Sequence, residues 1–197
     1  PLTFAQQRVW FLHQLYPESL AYNFQCTIRL RGELQVSALE SALNSILRRH
    51  EIYRTTYAFT GDNPTQVIHP HRDLELPLVD YSDLPETEAV QKSEILLNQL
   101  FAKRYDPECL PMARWVLVKF DTGHHMLVHM EHHLVHDGWS FNLFLKELFT
   151  FYAAHDSGQA DPLEPLPVQF ADFAAWERRH MQGEEAARQL RFWKEKL

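Results

Sequence analysis

Apolar and polar residues follow two different periods along the chain, and each period predicts a type of secondary structure. From residue 22 to residue 30 every second residue is apolar, which predicts a strand with one buried face. From residue 139 to residue 152 apolar residues recur every three or four positions, which predicts a helix packed on a core. By the same criteria we expect further helices over residues 3–14, 39–50, 85–105, 170–181 and 184–196, and further strands over residues 53–59, 66–69, 114–120 and 124–133.

Local signals mark the ends of some of these elements. Thr3 and Gln6 have the spacing of a capping box, in which a hydroxyl and an amide satisfy free backbone groups at the start of a helix. Gly61-Asp-Asn-Pro64 predicts a turn between the strands at 53–59 and 66–69. Because strands and helices interleave along the 197 residues, we expect one α/β or α+β domain or lobe built around a mixed sheet.

The composition excludes several classes of protein. A net charge of −7 argues against a nucleic-acid-binding surface, which needs a basic stripe, so no nucleic-acid partner is expected. No apolar run approaches the roughly 18 residues of a membrane span, and the first residues do not resemble a signal peptide. Two cysteines, Cys26 and Cys109, are too few for a disulfide framework and indicate buried thiols in a reducing, cytoplasmic compartment.

The strongest chemical signal lies at residues 129–140, which read HMEHHLVHDGWS. Successive side chains of a strand point to opposite faces, so His132 and His133 are expected to point in opposite directions. A metal site built from this adjacent pair is therefore awkward. His129, Glu131 and His133 would share one strand face, which leaves a metal site there as an alternative.

A second metal alternative uses His136 and Asp137. No zinc-type spacing such as H-E-x-x-H or C-x-x-C occurs, so we expect no metal. A purely structural interpretation, in which the histidines form a hydrogen-bonded polar strand face, stays open at this point.

The catalytic interpretation depends on where the strand ends. His133 lies at the end of the predicted strand and the next helix begins near Trp139, so His133 is expected at the mouth of a strand–loop–helix turn. Asp137 is a carboxylate that could fix this loop, and Gly138 would let the backbone approach a ligand closely. A neutral imidazole is the usual side chain for holding or moving a proton of an amine or hydroxyl.

These residues also resemble a family signature. HHLVHDG at 132–138 resembles the H-H-x-x-x-D-G motif of condensation domains in nonribosomal peptide synthetases. LTFAQQRVWFL at 2–12 resembles that family's first motif, S-x-A-Q-x-R-L-W-x-L, and RHEIYRTTY at 49–57 resembles its R-H-E-x-L-R-T-x-F motif. FADFAAW at 170–176 resembles Y-x-D-Y-A-x-W. Four motifs in the family's order span nearly the whole chain.

The resemblance implies a fold like that of chloramphenicol acetyltransferase, with a mixed, mostly antiparallel sheet flanked by helices. In this family two such lobes form a V around an active-site tunnel. Residues 1–197 carry only the motifs of the first lobe, so we expect this chain to be the N-terminal lobe without its C-terminal lobe.

The implied reaction is amide-bond formation between an acyl or peptidyl thioester donor and an aminoacyl thioester acceptor. Both substrates arrive on phosphopantetheine arms of carrier proteins, so no cofactor is expected to bind directly. The implied partners are acyl or peptidyl carrier domains, the missing C-terminal lobe and a neighbouring adenylation domain. The alternatives are a carrier-docking lobe that is inactive without its second half, or a starter-type domain that acylates an amine.

The motif positions imply a role for each site residue. His133 is the implied active-site histidine, acting as general base or positioning group. His132 is implied to be structural, Gly138 to line the channel, and Asp137 to pair with Arg54 to hold the loop. Removing one partner from such a buried ion pair costs roughly 3–5 kcal/mol.

Three neighbouring residues complete this assignment. Trp139 and Ser140 follow the condensation pattern and are placed along the substrate channel. His136 occupies a variable position of the motif and receives no role. A histidine pair in place of an aspartate pair disfavours a cyclization domain.

Overall fold

The computed structural model describes residues 1–61 and 63–197. The helices are α1 (Phe4–Leu15), α2 (Val36–Arg49), α3 (Glu86–Phe101), α4 (Gly138–Asp156), α5 (Phe170–His180) and α6 (Gly183–Lys196). The strands are β1 (Asn23–Arg31), β2 (Thr55–Thr60), β3 (Asn63–Ile68), β4 (Leu78–Asp80), β5 (Ala113–Asp121) and β6 (His124–His132).

The main sheet has the strand order β1-β6-β5-β4, and β2 and β3 form a separate hairpin. The β1–β6 and β5–β6 pairs are antiparallel, whereas β4 runs parallel to β5. The predicted fold class, a mixed and mostly antiparallel sheet flanked by helices, is therefore confirmed. The histidine-rich strand β6 lies in the interior of this sheet, between β1 and β5.

Both faces of β6 are covered, and the alternation of its side chains decides which residue meets which layer. Leu127 points into a core shared with α2 and α4, where it packs with Leu43 and Leu148. Val128 and Met130 point into a second, smaller core that α3 covers. The polar residues on the Leu127 face of the strand are therefore buried together with the larger core.

Several elements differ from the sequence prediction. α2 begins three residues earlier than expected, α3 ends at Phe101 rather than at residue 105, and β3 begins at Asn63, inside the predicted turn, rather than at residue 66. The strand expected from residue 53 begins only at residue 55, because Glu51–Arg54 forms a 3-10 turn in which the Tyr53 N–H bonds to the His50 carbonyl. The short strand β4 was not predicted, since three residues between loops give no periodic signal. The predicted turn at 61–64 includes Asp62, which lies outside the described residues.

Contacts between α1 and α5 join distant parts of the sequence. The predicted capping box at the start of α1 is present, with Thr3 and Gln6 in their expected roles. The Phe4 N–H donates to the Glu177 carboxylate at 2.9 Å. Arg178 donates to the Leu2 carbonyl at 2.8 Å and lies with its guanidinium carbon 4.0 Å above the Phe4 ring centroid. The start of α1 is therefore held directly against α5.

Within the described residues no helix is long and apolar enough to cross a membrane.

Candidate active site

The site lies in the loop that joins β6 to α4. The loop ends at Asp137, whose extended backbone (φ −146°, ψ 172°) caps α4. Its Oδ1 accepts from the Ser140 N–H at 2.8 Å, and its own N–H donates to the Ser140 hydroxyl at 2.9 Å. This reciprocal capping box sets the point at which the helix begins.

His133 is half-buried at the start of this loop. Its N–H donates to the Tyr22 carbonyl at 2.8 Å, and its ring stands edge-on to the Tyr22 ring. The ring Nδ1 lies 3.4 Å from the His136 carbonyl oxygen. A cavity of about 720 Å³ borders His133, with walls from α1, α5 and the start of α4. The candidate catalytic histidine therefore opens onto a space of a size that holds small ligands.

His132 occupies a different environment. It is 1% exposed, its ring stands edge-on to His13 of α1, and its Nδ1 accepts from the Leu134 N–H at 3.2 Å. Burial, and to a smaller extent the electrostatic interaction with the neighbouring His13 and His133 rings, lowers the pKa of His132 to about 3. His132 is therefore neutral at physiological pH.

The expected ion pair between Asp137 and Arg54 is wrong, because the structure gives each side chain other partners. Arg54 folds back onto Glu51 at 3.3 Å and donates to the His69 carbonyl at 2.7 Å. Its turn directs it to a second cavity of about 630 Å³. Asp137 accepts from Ser140, because the free N–H groups of a helix start are its nearest donors.

The residues predicted along the substrate channel occupy different environments. Ser140 lines the cavity beside His133. Trp139 is 85% exposed, so its side chain projects to the surface. A Cβ placed on Gly138 would meet no atom within 4 Å apart from its chain neighbours and the backbone of its own helix, so packing against other elements does not require glycine there.

A side chain of the first motif, at residues 2–12, hydrogen-bonds to the backbone of the loop between β6 and α4. The buried Gln6 side chain donates to the Leu134 carbonyl and to the Tyr57 hydroxyl, both at 3.0 Å. The Tyr57 hydroxyl donates to the same carbonyl at 2.8 Å. The loop backbone is therefore fixed by side chains from α1 and β2.

The second motif holds the helix that follows the loop. Arg49 and His50, at the end of α2, contact the Glu147 carboxylate of α4 at 3.1 and 2.5 Å. The Gln169 side chain closes this region by donating to the Arg49 carbonyl and accepting from the Glu51 N–H. Sequence reasoning identified the motif but not this carboxylate partner.

Sequence reasoning also missed a buried polar cluster beneath the loop. Glu131 is fully buried, and one of its oxygens contacts both His129, at 2.9 Å, and His136. His129 accepts the Trp115 indole N–H on its other nitrogen at 2.7 Å. Both ring nitrogens of His129 are thus occupied by hydrogen bonds. Among residues 1–61 and 63–197 no group of three or more metal-ligating side chains is arranged to hold an ion.

The family model of the condensation domain matches residues 1–197. The chain belongs to this family. One of the linear gramicidin synthase proteins of Brevibacillus parabrevis is 42% identical over 197 residues, which are 100% of this chain and 2% of that protein. Chondramide synthase cmdD from Chondromyces crocatus is 37% identical over 100% of this chain and 5% of its own length. The chain therefore spans a small part of these curated relatives.

Solved structures confirm the chloramphenicol acetyltransferase-like fold of the condensation domain. The SgcC5 protein from Streptomyces globisporus superposes with a TM-score of 0.82 at 30% identity, over 100% of this chain and 46% of that one. The X-domain from teicoplanin biosynthesis superposes with a TM-score of 0.86 at 30% identity, over 99% of this chain and 42% of that one. The chain thus spans less than half of each.

Proposed function

We propose that this condensation-domain lobe takes part in amide-bond formation in nonribosomal peptide biosynthesis, with His133 beside the reacting amine. The observation that carries the proposal is the position of His133. The residue follows an interior strand of the sheet and borders a cavity between α1, α4 and α5, in a chain that matches the family throughout. The donor is an acyl or peptidyl thioester and the acceptor an aminoacyl thioester.

The surroundings of His133 suggest how the residue acts. Because Nδ1 faces the His136 carbonyl, the neutral ring is best accommodated with its proton on Nδ1. The lone pair is then on Nε2, which accepts a hydrogen bond or a proton from the substrate amine. Holding the amine next to the thioester also contributes to the rate by orientation alone.

The reaction is proposed to require a second lobe, carrier proteins that present both substrates, and a neighbouring adenylation domain. In α6 no residue is buried, and Phe192 and Trp193 are half-exposed on it. Apolar residues in such a position favour contact with another protein surface. The lobe alone is therefore expected to be inactive. The expectation that both cysteines are buried is wrong, because Cys26 is half-buried and Cys109 is exposed. Both are free thiols, in keeping with a proposed cytoplasmic location.

The proposal is tested in the complete two-lobe protein with carrier-bound donor and acceptor. His133→Ala is expected to lower kcat about 10²-fold to 10⁴-fold if His133 is a general base, and less if it only positions the amine. His180→Ala, at the exposed end of α5, is the matched control and should retain full turnover. Normal turnover by a folded His133→Ala protein would contradict the proposal.

A further inference from the structure

A buried carboxylate lies directly below the active-site loop, where burial of a charge is expensive. Glu131 is 0% exposed and precedes the histidine pair by one residue. Burial raises the pKa of its carboxyl, but the hydrogen bonds from His129 and His136, together with the electrostatic interaction with both rings, outweigh burial and leave the pKa below its usual value. Glu131 is therefore ionised, and it is compensated only by the groups packed around it.

The hydrogen-bonding groups around Glu131 fix where the protons lie. Trp115 can only donate, so His129 accepts on Nδ1 and carries its proton on Nε2, which points to Glu131. His136 presents Nδ1 to the same carboxylate oxygen, so its proton lies on that nitrogen. Both imidazoles are therefore donors to one acceptor.

His136 is held in place by a second contact. Its ring stacks on Phe24 of β1, with centroids 4.1 Å apart and planes inclined by 18°. The side chain is 2% exposed, although the residue belongs to a surface loop. A ring that is both hydrogen-bonded to Glu131 and stacked on Phe24 fixes the backbone of the residue that carries it.

We propose that Glu131 and His136 are positioning residues for His133. The Glu131 carboxylate holds the His136 ring, and this anchor holds the His136 carbonyl 3.4 Å from Nδ1 of His133. The carbonyl favours the His133 tautomer with the proton on Nδ1 and leaves Nε2 free for the substrate amine. The inference rests on the proposed function of His133, and it assigns work to a position that the family motif leaves variable.

The decisive variants keep the shape of the cluster and remove one hydrogen bond. His136→Phe retains the stacking on Phe24 but has no donor for Glu131. His136→Asn places an amide N–H near the position of Nδ1 and should restore part of the contact. Ile46→Val, in the buried core between α2 and α4, controls for a small loss of stability without touching the loop.

Two measurements on the two-lobe protein separate positioning from mere support. For His136→Phe we expect kcat to fall roughly 10-fold to 100-fold with KM within twofold, since small misplacements of a reacting group cost this much. His136→Asn should recover much of the loss, and Ile46→Val should match the wild type. Unchanged kcat in a folded His136→Phe protein would overturn the proposal.

The second measurement does not need turnover. Histidine ¹⁵N chemical shifts report which ring nitrogen is protonated, and His133→Ala assigns the signals. The wild type should show His133 protonated on Nδ1, and His136→Phe should shift it toward a mixture of tautomers. An unaltered His133 signal in a folded His136→Phe protein refutes the positioning role. If His136→Phe fails to fold, the same result in Glu131→Leu, which removes the acceptor, refutes it instead. If the wild type forms no product but His136→Phe still shifts the His133 tautomer, only the proposed reaction is refuted and the positioning role stands.

Discussion

The capping of α4 by Asp137 makes a quantitative prediction that separates it from the ion pair implied by the family motif. Asp137 is exposed and accepts two hydrogen bonds from Ser140, one from the backbone and one from the hydroxyl, both at 2.8 Å. Losing a helix cap costs about 1 kcal/mol, with a range of roughly 0.5–2 kcal/mol. Removing one partner of a buried ion pair costs roughly 3–5 kcal/mol. The two explanations thus differ by a measurable amount.

Asp137→Ala should therefore lower the free energy of unfolding of the 197-residue chain by about 1–2 kcal/mol. Asp137→Asn should lower it by less than about 1 kcal/mol, because asparagine caps as well as aspartate and only the charge near the helix start is lost. Urea unfolding followed by tryptophan fluorescence measures both values.

A double-mutant cycle with Arg54→Met tests the reasoning further. Because Arg54 contacts Glu51 and His69 rather than Asp137, the two substitutions should be additive within about 0.5 kcal/mol. A coupling energy above roughly 1.5 kcal/mol, or a loss of more than about 3 kcal/mol in Asp137→Asn, would refute the capping explanation and restore the ion pair.

The pH dependence has a definite sign. The Ser140 backbone N–H is the main cause that lowers the pKa of the Asp137 carboxyl. The stabilisation by the Asp137 carboxylate is therefore fully present above the pKa of aspartate in the unfolded chain, near 3.9. It is lost as the pH falls through the lower pKa of Asp137 in the folded protein. Wild type and Asp137→Asn should converge in stability at the acid end of this range.

Three other substitutions test separate parts of the site by urea unfolding. The pKa of His132 is about 3 in the folded protein and 6.5 in the unfolded chain, so the free energy of unfolding should fall by up to about 1.4 kcal/mol per pH unit below pH 6.5. His132→Gln should reduce this slope. Equal slopes in the two proteins would contradict the burial of His132 as a neutral ring. Gln6→Leu should cost about 1–3 kcal/mol, because the Leu134 carbonyl of the loop loses a donor and the Thr3 N–H loses its acceptor; a neutral result contradicts the role of Gln6 in fixing the loop. Glu147→Gln should cost about 3 kcal/mol, since Arg49 then faces a neutral amide, and a loss below about 1 kcal/mol would speak against that network.

Patterns that repeat within one element were predictable from the sequence. The alternation over residues 22–30 corresponds to β1, the helical spacing over 139–152 lies within α4, and the Thr3–Gln6 spacing forms the expected cap. Each depends on residues a few positions apart, so local geometry decides it. The alternation of β6 likewise separates Leu127 and Val128 into different cores.

Contacts between elements were not predictable in the same way. Glu131 and His129 share a strand face, which the sequence shows, but His136 joins them only because the loop turns back over the strand. Trp115 reaches His129 from the neighbouring strand, a pairing that depends on sheet register. Arg54 has other partners than expected because the 3-10 turn at 51–54 redirects its side chain.

The contacts between α1 and α5 have a consequence for building chimeric condensation domains. Glu177 and Arg178 bind backbone groups at Phe4 and Leu2, and Arg178 also donates to the Gln7 side chain at 2.6 Å. If the crossover between two parent sequences lies between α1 and α5, the two sides of this contact come from different parents. Hybrids that inherit both helices from one parent should therefore express and fold better than hybrids of equal length that divide them.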